Sequence, residues 1–172
     1  FMDFFRRYAG MNPKVKDAIQ AAMDRCFFMN AVCDRMVYVM QGQWSLTKFA
    51  SEFHHKIAHA YPDWADKLGD VLLGEGENVT RGPVDAQAQD YQSPAQLLAV
   101  YRDEALATRR MIGDAYYAAF DNAEAGTAAV LADILEDFQE DMAAPAIRMA
   151  GMAAHYGENF AEFDSDTELF FN

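Results

Sequence analysis

Four stretches of helical period, separated by a short turn, a long gap and a second short turn, constrain this chain more than any other feature. Ile19, Met23, Phe27, Ala31, Met36 and Met40 recur close to the helical period. Asn12-Pro13 opens that stretch with a cap residue and a proline at the first helical position, and Gly42 closes it. The pattern predicts a helix over about 12–41. Ser45 is the expected cap of a second helix, 45–73, with Phe49, Phe53, Ile57, Ala60, Trp64 and Leu68 on its apolar face. Ser93-Pro94 starts a third, 94–121, carrying Leu97, Tyr101, Ala105, Ile112 and Tyr116. Thr127 is the expected cap of a fourth, 127–155, carrying Leu131, Ile134, Leu135, Phe138 and Met142. Pro145 is expected to kink or end it. An acidic and aromatic tail fills 157–172. No strand alternation or repeat interrupts this pattern, so the predicted fold class is all-α, with one domain over 1–172.

Connection lengths then fix topology. Short connections make helices one and two antiparallel neighbours, and likewise three and four. The middle connection, with its Gly82-Pro83 breaker, is about 20 residues, long for a compact domain. Extended, it reaches roughly 60 Å, whereas a 28-residue helix is about 42 Å long. The chain is therefore expected to form a four-helix bundle with one long crossover between helices two and three.

Charge narrows the function classes. Among 172 residues, 27 are acidic and 14 basic, a formal net charge of −13, with 52% hydrophobic residues. That suffices for a proper core and excludes an acidic disordered tail. A surface this acidic repels phosphates, which argues against nucleic acid as a partner. Arg6 and Arg7 are the only basic cluster near a terminus. Cys26 and Cys33 lie on one helical face roughly 10 Å apart, too far for a disulfide. Free thiols fit a reducing cytoplasm, the expected location. Asp3 and the arginine pair argue against a signal peptide. No apolar run reaches the ~18 residues that span a membrane. The ten methionines read as core filler.

The residues with chemistry lie in one segment, 53–70, FHHKIAHAYPDWADKLGD. His55, His59, Asp63, Asp66 and Asp70 are spaced by four, four, three and four. On a helical wheel they fall within roughly 80°, while the apolar residues of the same helix fall on the far side. Imidazole with carboxylate is ligand chemistry for iron, zinc or manganese. The stripe faces away from the core, so a second subunit must cover it to make a site. The plainer reading is a solvated face, which any surface helix shows. Pro62 lies inside the helix and clashes with the carbonyl of Ala58. A kink is expected there; a break would put the two histidines out of register with Asp66 and Asp70. Glu136, Asp137, Glu140 and Asp141 read as a second solvated face, or as the cation-concentrating inner wall of a cage.

These segments resemble ferritins. Phe49-Ala50-Ser51-Glu52-Phe53-His54-His55 is similar to their second helix, and LADILEDFQEDM, residues 131–142, to their last. The run Pro62 to Asp70 before a Gly-rich turn resembles the second helix of the DNA-protecting mini-ferritins (Dps). In those proteins two acids four residues apart bind iron, and Asp66 and Asp70 keep that spacing. The resemblance implies a ferritin-like bundle, a homo-oligomer (dimer or dodecamer) and iron binding, oxidation and storage at a site shared across a twofold interface. Glu104 would be a further iron ligand by the same resemblance. The chain departs from both patterns. The Glu-x-x-His pairs that ferritins point into the bundle are matched here by Ala60 with Asp63 and by Glu136 with Gln139. The mini-ferritin histidine late in helix one is replaced by Gln41-Gly42-Gln43. An alternative follows: a ferritin-like structural or partner-binding oligomer that has lost metal chemistry, its aromatic tail docking between subunits.

Overall fold

The computed structural model describes residues 10–172; Arg6 and Arg7 lie outside them. The first rod is α1, Pro13–Gly42, whose N-cap Asn12 accepts a hydrogen bond from the Lys14 amide at 2.9 Å. The second rod joins α2 (Thr47–Phe53), a five-residue π-helical turn (His54–Ala58) and α3 (Ala60–Gly74). The third is α4, Pro94–Asp121, started by Ser93, whose Oγ accepts from the Gln96 amide at 3.1 Å. The fourth joins α5 (Ala125–Phe138), a second π turn (Gln139–Ala143) and α6 (Ala144–Ala153). Two short helices, α7 (Phe160–Ser165) and α8 (Thr167–Phe171), follow. The described residues contain helices and loops alone.

The first rod packs on α3 and α4, and α4 packs on both helices of the fourth rod. Edge-on contacts of Phe53 with Tyr101 at 5.1 Å and of Trp64 with Phe138 at 5.2 Å join the second rod to the third and fourth. The crossover, residues 75–93, runs along α1. Glu77 pairs with Lys16 at 3.0 Å, the Thr80 carbonyl accepts from Gln20, Asp24 accepts from the Gly82 amide, and Arg35 donates to the Gln89 carbonyl. Those partners span about 28 Å of α1 at 1.5 Å per residue. The long connection therefore returns the chain to the opposite end of the bundle. This is an all-α bundle with a single long crossover between its second and third rods. None of its described helices is long and apolar enough to cross a membrane.

Three local expectations are corrected. Ser45 does not cap the second rod. The buried Leu46 closes its amide onto the Met40 carbonyl at 2.9 Å, which leaves Ser45 outside the helix at φ 55°. The amides of Lys48 and Phe49 turn instead to the Asp164 carboxylate, at 3.4 and 2.8 Å. Thr127 does not cap the fourth rod either. Ala123, at φ 58°, ends the turn earlier, the helix begins at Ala125, and Thr127 is buried in its first turn. The aromatic tail docks on its own chain, because Phe163 and Phe170 are fully buried against Phe49, with ring centroids 4.6 and 5.2 Å away. Pro145 sits just after the second π turn, and the rod continues through it to Ala153.

Candidate metal centre

The geometry of the histidine segment starts from Pro62. A proline has no amide hydrogen, so the carbonyl of Ala58 loses its helical partner. One contact absorbs the loss, beside a π turn that lies immediately upstream. The π turn carries the His59 amide to the His54 carbonyl at 3.1 Å. The side chain of Asn30, on α1, donates its Nδ2 to the Ala58 carbonyl at 2.9 Å. The rod neither breaks nor restarts at Pro62; the adjustment lies one turn upstream.

That turn gathers imidazoles. His54 and His59 are five residues apart, and their ring centroids are 4.2 Å apart. His55 lies 5.4 Å from His54 and 5.6 Å from His59. His55 and His59 are exposed and His54 is half-buried. On α1, Asp34 faces this cluster, with its Oδ1 buried, unpartnered and 3.7 Å from His54 Nε2. That separation is too long for a hydrogen bond. Among the described residues no group of three or more His, Cys, Asp or Glu is arranged to hold a metal.

The five stripe residues do not form one site. Asp63, Asp66 and Asp70 are exposed on α3, as the wheel places them. From His55 to Asp70 the rod rises about 22 Å, while ligands of a single ion lie within roughly 4 Å of one another. The segment divides into an imidazole cluster at the π turn and an aspartate pair further along. Asp66 and Asp70 share a shallow groove with Phe27 and Arg81, away from the histidines. Sequence periodicity missed His54 and Asp34. His54 joins the cluster only because the π turn inserts a residue, and Asp34 comes from another helix.

The bundle interior offers no comparable donors. Cys26, Cys33, Tyr61, Tyr101 and Phe138 are all fully buried there. Tyr61 and Tyr101 hydrogen-bond through their hydroxyls at 3.3 Å. Burial raises all four titratable groups, pushing the Cys26 thiol up to about 12 and Cys33, Tyr61 and Tyr101 well up. They are neutral at physiological pH, and the thiols are poor metal ligands in that form. Among the described residues the buried polar or charged side chains are three threonines, with no acid or histidine. Glu104 is turned toward α1 and bound by Arg25, which also donates to Thr108. Ala60 is half-buried, Asp63, Glu136 and Asp137 are exposed, and Gln139 accepts from Arg109. This interior does not fit an iron centre built from carboxylates and imidazoles.

Solved structures share the fold. An open-pore ferritin from the hyperthermophilic archaeon Archaeoglobus fulgidus matches with a TM-score of 0.83 at 15% identity, over 92% of this chain and 97% of that one. A humanized archaeal ferritin matches at 0.83 and 12% identity, over 93% and 96%. A closed form of the A. fulgidus ferritin, made by site-directed mutagenesis, matches at 0.82 and 15% identity, over 92% and 97%. No family model and no curated protein matches the sequence. At such identities the likeness establishes the fold, which is ferritin-like.

Proposed function

We propose that this chain binds ferrous iron as cargo on the outer face of its second rod, at a site that a second copy completes, and that the homo-oligomer stores it. The observation that carries the reading is the division of polar groups. Imidazoles and carboxylates gather outside, at the π turn and along α3, while tyrosines and neutral thiols fill the interior. His55 and His59, joined by His54 and Asp34, supply donors from one copy; Asp63, Asp66 and Asp70, which form no one site with them in the same copy, supply hard oxygens that favour ferric iron from the other. Zinc and manganese suit the same donors. The mini-ferritin resemblance supports the placement, since those proteins share their iron site across a twofold; the homo-oligomer of this chain is a dimer or a dodecamer. Oxidation needs a dissolved oxidant. Two ferrous ions each give one electron to a peroxide, which takes up two protons and leaves as two waters.

A second reading is a ferritin-fold oligomer that has lost metal chemistry, favoured by the Tyr61–Tyr101 hydrogen bond across the bundle centre. Elemental analysis of the purified protein, with its mass in solution, separates the two. On the iron reading, aerobic Fe(II) gives ferric near-ultraviolet absorbance and retained iron, both lost in His55→Ala/Asp66→Ala and reduced in His54→Ala. A wild-type protein that retains no iron and gives no absorbance change establishes the second reading.

A further inference from the structure

One face of α4 sets arginines and a leucine on one side of Gly113 and aromatics on the other. About Gly113, Arg110 and Tyr116 stand three residues away, Arg109 and Tyr117 four, and Leu106 and Phe120 seven. All lie on one helical face. Tyr117 and Phe120 are 62% and 63% exposed, and Tyr116 stacks on Phe120 with centroids 6.1 Å apart. The stripe borders a groove of about 650 Å³ between α4 and α5. Tyr117 and Phe120, three residues apart, leave two aromatic rings largely in solvent on this face.

We propose that this face of α4 is an isologous interface with a second copy of the chain, the two α4 helices antiparallel about a twofold at Gly113. In a twofold contact residue i meets j and j meets i. That operator sets Arg109 opposite the other copy's Tyr117, Arg110 opposite its Tyr116, and Leu106 opposite its Phe120. Each guanidinium meets an aromatic ring, and the contact is made twice. Gly113 lies at the crossing, where the absence of a side chain lets the backbones approach. The chain's own packing does not require a glycine there, because an added Cβ meets only Leu135 Cδ2, at 4.0 Å. The arginines are available. Arg109 is held by the neutral Gln139, and the ion pairs among the described residues use Arg25, Arg35 and Arg102 instead. Asp114 and Glu136 also line the groove, so its two arginines leave this face formally neutral; on a chain of net charge −13, which repels its own copies, association meets less opposition there than across the acidic remainder.

The interface does not depend on the iron reading and is tested without metal. In Gly113→Cys the introduced thiols of two copies meet on the axis, whereas the native thiols are buried. Mild oxidation is expected to give a covalent dimer of about 39 kDa, twice the 19.3 kDa chain, with Val130→Cys, on an exposed position outside the groove, staying monomeric on a reducing-agent-free gel. Sedimentation of Arg109→Ala/Tyr117→Ala should show self-association weakened at least tenfold with the helical circular dichroism unchanged. Equal cross-linking at the two positions, a wild-type chain that stays monomeric, or an assembly whose mass survives Tyr117→Glu/Phe120→Glu would each overturn the proposal. So would a groove that takes a different partner while the chain remains monomeric.

Discussion

Replacing Asn30 with alanine tests the joint that gathers the histidines. Ala58 is fully buried, and its carbonyl has lost its helical donor to Pro62, so the Asn30 amide at 2.9 Å supplies the missing hydrogen bond. Leaving a buried acceptor unpaired costs about 1–3 kcal/mol. We expect Asn30→Ala to destabilise by about 1.5 kcal/mol, a fall in melting temperature of roughly 3–6 °C for a chain of this size. The mechanism makes a sharper claim through Pro62→Ala, which returns an amide hydrogen to the rod. In that background Asn30→Ala should cost about 0.5 kcal/mol, a coupling of roughly 1 kcal/mol between residues 32 apart. Guanidinium unfolding of the four proteins, followed by circular dichroism, measures it if the slopes agree. An Asn30→Ala cost equal in both backgrounds to within ~0.3 kcal/mol would refute the account, because the amide would then act elsewhere than on the Ala58 carbonyl.

The other expectations concern the core and the tail. Folding raises the Cys26 thiol from 9.0 to about 12, so the folded state holds its proton more tightly than the unfolded chain. Stability is therefore constant below about pH 9 and falls between about pH 9 and 12, by roughly 1.4 kcal/mol at pH 10 from this group alone. Cys33, Tyr61 and Tyr101 shift the same way and steepen the fall, so denaturation midpoints that stay flat from pH 8 to pH 10 would contradict their burial. Asp164→Ala removes the carboxylate that receives the first amides of α2, and should cost about 1 kcal/mol and alter the fluorescence of Trp44, packed 5.4 Å from Phe160. Tyr61→Phe and Tyr101→Phe each strand one hydroxyl and should cost about 1 kcal/mol, whereas the double variant, measured by the same unfolding, should cost less than their sum.

Much of the architecture is legible because it is written locally. Asn12 and Ser93 are cap residues beside prolines, and both make the side-chain caps their positions suggest. The crossover follows from arithmetic on one long gap. The histidine site resisted the same treatment because a wheel assumes one period throughout. Phe49, Phe53, Ile57, Tyr61 and Ala65 are all buried, at steps of four. In an unbroken α-helix that spacing drifts about 160° over sixteen residues. One residue absorbed by a π turn cuts the drift to roughly 60°, keeps Tyr61 inside in place of Ala60, and aligns His59 with His54. The repeated step of four ahead of Pro62 was the available signal. Asp164 capping α2 left no such trace, since its partners lie 115 and 116 residues away.

The interior explains why fold and chemistry separate in this chain. Carboxylates held inside a bundle carry a desolvation penalty of several kcal/mol each, which only a bound cation or a tight partner offsets. Here that volume is taken by a hydrogen-bonded tyrosine pair, two neutral thiols and Phe138, all of which fold without a cation. Of two acids at the interior's margin, Glu104 is matched by Arg25 within the same chain, whereas Asp34 keeps one oxygen buried and unpartnered beside His54. The packing of this interior therefore calls for no bound cation, and the donor set proposed for iron lies where ionised groups remain hydrated. A surface site of that kind lacks the enclosing walls that a bundle interior supplies. On the proposed reading its remaining ligands come from a second copy, and metal binding is then coupled to assembly and not to folding.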